Sequence, residues 1–70
     1  MRLSTRNQLK GTVVSVTTGE AMAVVKVRLD GSDQVLTSSI TKDAAQDLGL
    51  AEGSQVTLLI KSTDVALGVE

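Results

Sequence analysis

Basic and hydroxyl side chains lie close together near each end of the chain. Ser4 and Asn7 flank Arg6, and Ser62 directly follows Lys61. A tetrahedral oxyanion without a proton at neutral pH can only accept hydrogen bonds, so its site must supply hydroxyl groups, amide N–H groups and a cation. Because both segments combine such donors with a positive charge, each of them is a candidate binding site for an oxyanion.

The residue types needed for most catalytic reactions are missing from the sequence. It contains no His, Cys or Tyr, the side chains that most often act as general bases, nucleophiles or transition-metal ligands. Lys61 and Ser62 are adjacent, but neighbouring strand positions direct their side chains to opposite faces of a sheet. We therefore predict no catalytic activity, no cofactor and no site for a free metal cation.

The chain has 70 residues and is expected to form a single domain over residues 1–70. A domain of this size buries only about 60% of the surface of its unfolded chain, so its stability is marginal. Disulfides and structural zinc cannot add stability without Cys and His, so self-association is expected. The sequence has no signal-like apolar region and no apolar run near the roughly 18 residues that cross a membrane. We expect a cytoplasmic protein without a membrane partner.

Composition also argues against nucleic acid as the partner. The formal net charge is -1, and the sequence contains no Phe, Tyr or Trp. Proteins that bind nucleic acids neutralise phosphates with basic residues, and small barrels that bind single strands stack bases on aromatic side chains. An OB-type nucleic-acid-binding module is kept as one alternative function, and a module that only assembles, without a ligand, is the other.

Alternation of apolar and polar residues with a period of two dominates the sequence and predicts β-strands. The alternating segments are residues 13–17, 22–29, 35–40, 56–61 and 65–69. Turn residues at 18–20 and 30–32 separate the first three segments, which makes these strands antiparallel. One segment breaks the pattern, because Thr41 is a suitable N-cap for a short helix near residues 42–48 that ends at Gly49.

Five strands with a short helix after the third is the element order of an OB-like barrel. We therefore predict an all-β fold, a small five-stranded antiparallel barrel with one short helix. Its strands carry more apolar side chains than one barrel can cover, and the surplus is expected at subunit interfaces. This surplus includes Val13, Val24, Leu59 and Ala66.

The N-terminal octet is similar to a motif of a known family. Ser4-Thr5-Arg6-Asn7-Gln8-Leu9-Lys10-Gly11 resembles the Ser-Ala-Arg-Asn-Gln-Leu-Lys-Gly opening of the molbindins, which are single Mop domains related to TOBE domains. The similarity continues through residues 19–25, 37–41, 48–50, Gly53 and residues 60–65, and so covers the whole chain. The octet and the Lys61-Ser62-Thr63-Asp64-Val65 run are together specific at this spacing.

The resemblance implies an OB-like barrel that assembles as a homohexamer, built from three dimers that exchange N-terminal strands. It also implies that the protein binds molybdate, and tungstate, at sites between subunits, and that it stores molybdenum in the cytoplasm and maintains its homeostasis. One class of site would lie at the dimer interface and a second class on the threefold axis. No cofactor is implied beyond this oxyanion ligand.

The resemblance also assigns residues to both classes of site. At the dimer interface, Arg6 and Lys61 would balance the charge of the dianion. The hydroxyl groups of Ser4, Ser62 and Thr41 would donate hydrogen bonds, with Thr41 contributed by another subunit. The candidate for the threefold-axis site is the segment Gly19, Glu20, Ala21, Met22 and Ala23.

Two of the motif residues also have purely structural explanations. Asn7 belongs to the oxyanion motif, but its amide can equally hold a bend in the chain. The hydroxyl of Thr41 can serve as a helix N-cap, and the free N–H groups of residues 42–44 would then add donors at the helix start.

Three positions depart from the family pattern. Thr5 replaces the commoner Ala, and in a regular strand its side chain faces away from Ser4 and Arg6. Some relatives have Ser where this chain has Ala44, so a donor is lost on the helix side of the site. Met22 stands in the threefold candidate where a polar residue is common.

Overall fold

The computed structural model describes residues 2–70, so the predicted domain start at residue 1 lies outside the described residues. The elements follow in the order β1 (Asn7–Thr18), β2 (Met22–Leu29), β3 (Val35–Thr41), α1 (Lys42–Asp47), β4 (Gln55–Ile60) and the 3₁₀ turn η1 (Ser62–Asp64). The strands form one antiparallel sheet in the order β3-β2-β1-β4, which curls into a half-barrel. The predicted all-β class with one short helix is confirmed.

Strand β1 is 12 residues long and pairs with two neighbours. Residues 7–12 pair with β4, beginning with Asn7 opposite Ile60. Residues 11–18 pair with β2. The first four residues of β1 therefore extend beyond the β2 ladder by about 13 Å, at the usual rise of a strand, and β4 is their strand partner there.

A β-bulge in β1 changes which of its side chains point inward. The register with β2 shifts between Val13 and Ser15, so Val14 is an extra residue without its own partner. The bulge brings both Val13 and Val16 to the inner side of the sheet, where strict alternation had placed them on opposite sides. The prediction that Val13 belongs to the surplus at subunit interfaces was wrong, because its side chain is buried in the core.

The buried core of the chain is small. Its centre is formed by Val13, Val25 and Val27, with partly buried apolar side chains from β1, β3, β4 and the loop after α1 packed around it. Many large apolar side chains stay exposed in the described residues, among them Leu59, as predicted, and Leu3, Leu9, Met22 and Val35. One chain therefore leaves much of its apolar surface in contact with water.

Helix α1 begins and ends where the sequence predicts, to within one residue. The hydroxyl of Thr41 accepts a hydrogen bond from the Ala44 N–H at 3.1 Å. At the other end Gly49 has a φ of 63°, which permits a Schellman motif, with Leu50 N–H donating to the Ala45 carbonyl at 3.1 Å. The described residues contain no helix long and apolar enough to cross a membrane.

The predicted fifth strand is absent from residues 2–70. The prediction of five strands was therefore wrong for a single chain. Residues 65–69 alternate as expected, but they form no ladder with another strand. After β4 the chain turns through η1, and Leu67 and Val69 are 95% and 100% exposed. Alternation identifies an apolar face, but a strand also needs a free edge to pair with, and this turn leads the chain away from its own edges.

Gly11 lies where β1 passes close to β2. A Cβ atom built at this position would lie 2.5 Å from Val27 Cγ1 and 2.8 Å from the Arg28 carbonyl oxygen. We predict that Gly11→Ala lowers the free energy of unfolding by about 1–3 kcal/mol, because the added methyl group overpacks the core against backbone. Chemical denaturation at one fixed protein concentration measures this difference.

Gly68→Ala is the matched control, because a Cβ atom there has nothing within 4 Å. Its free energy of unfolding is expected to stay within about 0.5 kcal/mol of the parent protein. Equal values for the parent protein and the Gly11→Ala variant would contradict the close packing of β1 on β2.

Candidate functional site

Five of the six predicted oxyanion-binding residues lie at one end of the β1–β4 pair. We call these residues, Ser4, Arg6, Asn7, Lys61 and Ser62, the strand-end group. Asn7 and Ile60 form the last pair of the ladder, so Arg6 and Lys61 lie one residue beyond it on either strand. All members except the half-buried Asn7 are exposed. The fold therefore brings together the two segments that were far apart in the sequence.

The two cations of the strand-end group face the same side of the sheet. Ile60 is half-buried on the inner side, like the other inward-facing residues of β4. Lys61 keeps an extended backbone, with φ -63° and ψ 145°. Because side chains alternate along an extended chain, Arg6 and Lys61 are both directed outward. Like charges on facing strand positions repel, and an anion between them removes that repulsion.

Hydrogen bonds within and between the two strand ends fix the backbone of the strand-end group. Asn7 Nδ2 donates to the Ile60 carbonyl at 3.0 Å, and Gln8 Nε2 donates to the Thr5 carbonyl at 3.1 Å. On the other strand, Asp64 N–H donates to the Lys61 carbonyl at 2.9 Å. The amide of Asn7 thus fixes β1 to β4 beside the two cations, which is a structural role different from the predicted bend.

Arg6 has the more favourable electrostatic surroundings of the two cations. The first acidic residue of the sequence is Glu20, so no carboxylate lies near Arg6 along the chain. Lys61, by contrast, caps the 3₁₀ turn that contains Asp64. The carboxylate of Asp64 was not part of the predicted site, although its spacing from Lys61 is visible in the sequence. Of the two cations, Lys61 is therefore the one with a carboxylate close to it along the chain.

The structure gives Thr41 the N-cap role and limits the donors around it. Its hydroxyl oxygen accepts the Ala44 N–H, which leaves the hydroxyl proton free to donate to a ligand. Lys42 N–H donates to the Ala21 carbonyl at 2.8 Å. The predicted set of free N–H groups at residues 42–44 was therefore wrong for Lys42 and Ala44, and Asp43 adds a negative charge in the first turn.

Thr41 lies at the opposite end of β1 from the strand-end group. Thr41, at the end of β3, pairs with Met22, the first residue of β2. Ala23, which follows Met22 in β2, pairs with Thr18 at the far end of β1. Thr18 lies eleven positions after Asn7 in β1, a path of about 36 Å along the strand. The longest extent of the chain is 37 Å. One chain cannot bring Thr41 to its own strand-end group.

The threefold-axis candidate forms the turn between β1 and β2, next to Thr41. Gly19 N–H donates to the Met22 carbonyl at 2.8 Å, and Ala21 and Met22 contact the start of α1 and the end of β3. Ala23 is fully buried and offers no side chain to a ligand. Of the exposed members, Glu20 carries a carboxylate, which repels an oxyanion.

Two cavities of the described residues lie elsewhere. One of about 140 Å³ opens inside the half-barrel near Val25 and Leu50, and a cleft of about 420 Å³ separates β3 from β4. Neither is lined by any of the six predicted oxyanion-binding residues. The strand-end group is thus an exposed surface in one chain.

Comparison with known proteins places this fold in a family. The sequence profile of the TOBE domain matches residues 3–67. The chain belongs to the TOBE-domain family. This TOBE domain is 49% identical over 67 residues to molybdenum-pterin-binding protein 3 of Clostridium pasteurianum, in an alignment that covers 96% of this chain and 97% of that protein.

Two solved structures share the fold of this TOBE domain along its length. A molybdate-binding protein from Sporomusa ovata aligns with a TM-score of 0.91 at 33% identity, covering 99% of this chain and 100% of that chain. The cytoplasmic molybdate-binding protein ModG, solved with molybdate bound, aligns with a TM-score of 0.92 at 43% identity, covering 100% of this chain and 49% of that chain.

These comparisons confirm three predictions about this TOBE domain. The resemblance to the molbindins and the OB-like architecture are both confirmed by relatives that match almost the whole chain. A binding role rather than a catalytic one is also confirmed, because the family members that it matches are binding proteins.

Proposed function

We propose that this TOBE domain binds molybdate, and also tungstate, and serves to store molybdenum in the cytoplasm. The observation that carries the proposal is the strand-end group, in which two cations, two hydroxyl groups and an amide meet at the exposed ends of β1 and β4. The printed names of the relatives, which refer to molybdenum-pterin or molybdate, support this anion as the ligand.

Each site is proposed to lie between chains of a homo-oligomer, a hexamer of three dimers. The exposed strand-end group of one chain would meet Thr41 of another, since the two lie at opposite ends of β1. A second chain also removes water from the ion contacts, which strengthens hydrogen bonds to charged groups. Anion binding at such a site favours the assembled state, because only the oligomer holds the complete site.

Donor chemistry gives this site part of its selectivity. Molybdate and tungstate are fully deprotonated dianions and accept hydrogen bonds at every oxygen. The proton of monohydrogen phosphate needs an acceptor, which hydroxyl, amide and guanidinium donors do not readily supply. The position of Ala44 adds no side-chain donor, so Arg6 and the hydroxyl groups contribute most of the binding.

Of the two proposed classes of site, the geometry supports best the one that contains the strand-end group. The threefold candidate contributes the carboxylate of Glu20 and the apolar side chain of Met22, and neither donates a hydrogen bond to an oxyanion. No observation favours the nucleic-acid alternative, because the sequence has no aromatic side chain on which a base could stack.

The first prediction from this proposal concerns the choice of anion. Isothermal titration of the assembled protein with molybdate, tungstate, sulfate and phosphate is expected to give saturable heat with molybdate and tungstate. Phosphate is expected to bind more weakly than either, because its proton lacks an acceptor in the site. Sedimentation velocity at the same concentration verifies that the oligomer is intact.

If none of the four anions produces heat or raises the melting temperature of the intact oligomer, the proposed function is wrong. In that case the alternative of a module that only assembles is favoured.

The second prediction compares two neighbouring residues of the octet. Arg6→Ala is expected to raise the Kd for molybdate by about 10-fold or more, because it removes a charged donor. Thr5→Ala is the matched control, since the side chain of Thr5 is directed away from Arg6 and its carbonyl group, which accepts from Gln8, is retained. Titration of both variants measures the ratio, and equal Kd values would show that the site is elsewhere.

A further inference from the structure

The fold separates the charges of the chain by sign. All eight acidic residues lie in turns, in α1 or η1, or at the C-terminus, and the four strands of the described residues contain none of them. The strands do contain three cations, Lys10 in β1 and Lys26 and Arg28 in β2, and all three are exposed. Positive charge is therefore concentrated on the sheet, and negative charge lies in the segments around it.

The three strand cations share one side of the sheet. Gly11, beside Lys10, and Val27, between Lys26 and Arg28, are buried on the inner side. Because side chains alternate along a strand, the three cations are all directed outward. We call Lys10, Lys26 and Arg28 the outer basic face.

The cations of the outer basic face are close enough to repel one another. Arg28 pairs with Thr12, so Lys10, two positions before Thr12, is the diagonal neighbour of Arg28 at about 7–8 Å. Lys26 lies about 7 Å from Arg28 along β2. These separations are within the screening length of about 8 Å at physiological salt. A negatively charged partner removes this repulsion and gains from all three cations at once.

One carboxylate reaches the outer side of the sheet, and hydrogen bonds hold it in place. The hydroxyl of Thr12 donates to Asp30 Oδ1 at 2.9 Å, and Gln55 Nε2 donates to the Thr12 hydroxyl oxygen at 2.9 Å. Three cations against this one carboxylate leave a local charge of +2, in a chain whose formal net charge is -1.

Beside Lys10 the surface has room for an acidic side chain. A hollow of about 330 Å³ is lined by Lys10, Gln55, Val56 and Thr57. The ammonium group, the second amide N–H of Gln55 and the hydroxyl of Thr57 are hydrogen-bond donors, and no carboxylate is among the lining residues. A carboxylate that enters this hollow meets donors of the kind that it binds most strongly.

We propose that the outer basic face is a docking surface for an acidic segment of another protein. Four strands span only about 14 Å across the sheet, at the usual strand spacing, so the face matches a compact acidic patch or a short acidic peptide. A nucleic acid fits less well, because a long polyanion would extend beyond the face to the surrounding acids, and no aromatic side chain offers stacking. Contacts between exposed charges give an association that is fast and sensitive to salt.

This inference goes beyond the proposed function and uses none of the residues of the strand-end group. The two surfaces are nevertheless neighbours, because Arg6 and Lys61 are directed to the same outer side of the sheet as Lys10. An acidic protein docked on the outer basic face therefore lies next to the proposed oxyanion site.

Fluorescence anisotropy with a labelled peptide of alternating Glu and Ser tests the proposal, because Glu side chains on one face of an extended peptide have the same spacing of about 7 Å. The intact protein, without oxyanion, is expected to bind the peptide at low salt and to release it as salt rises. Lys10→Glu and Arg28→Glu are each expected to raise the Kd at least about tenfold, because each replaces an attraction with a repulsion.

Lys42→Glu is the matched control, because it makes the same change in net charge at the start of α1, away from the outer basic face. Its Kd for the peptide is expected to stay within about twofold of the parent value. Sedimentation velocity verifies that each variant keeps the parent assembly, and molybdate titration is expected to give the parent Kd for Lys10→Glu and Arg28→Glu.

Three results would overturn the proposal. The first is no peptide binding at low salt, and the second is an equal loss of binding in Lys42→Glu, which would reduce the effect to net charge. The third is a change of assembly in Lys10→Glu or Arg28→Glu, which would make this face a contact between copies. A DNA duplex of similar charge that binds more tightly than the peptide, and depends on the same residues, would replace the acidic protein with a nucleic acid. Since the peptide titration contains no oxyanion, none of these results bears on the proposed function.

Discussion

The pairing of β1 with two different strands is the constraint on which the rest of the structure depends. Its first half is paired with β4 and its second half with β2, and the two ladders overlap only at Gly11 and Thr12. Gly11 permits the close approach of β2, and the bulge at Val14 turns the strand between its two partners. This arrangement sends Arg6 to one end of the molecule and the N-terminus of α1 to the other.

The small core is the reason that we propose assembly as part of this fold. Only five hydrophobic side chains of the described residues are buried, while the ends of β1 and β4 and residues 65–69 expose apolar side chains. A domain of this size gains little stability from its own core, so we propose that a second copy covers part of this exposed surface. Binding and assembly would then be linked, because the same contacts that cover apolar surface would also complete the proposed oxyanion site.

Local patterns in the sequence predicted the strands, the Thr41 cap and the end of α1 at Gly49, because each depends on neighbouring residues alone. The bulge was not predictable, since Val14 is chemically the same as Val13 and nothing marks which one is extra. The prediction of a fifth strand was wrong because alternation does not specify which sheet edge a segment pairs with. At the site, the motif identified the strand-end group, but the hydrogen bond of Lys42 to Ala21 depends on contacts distant in sequence.

The central claim is that each oxyanion site takes its strand-end group from one chain and Thr41 from another, and complementation between two defective variants tests it most directly. Arg6→Ala and Thr41→Val chains are purified separately and as co-expressed mixed oligomers, and molybdate binding is titrated in all three preparations. The account predicts that the mixed oligomers regain a subset of sites with the Kd of the parent protein, because some sites then combine an intact Arg6 with an intact Thr41. Mixed oligomers that bind no better than the two variants alone would contradict it.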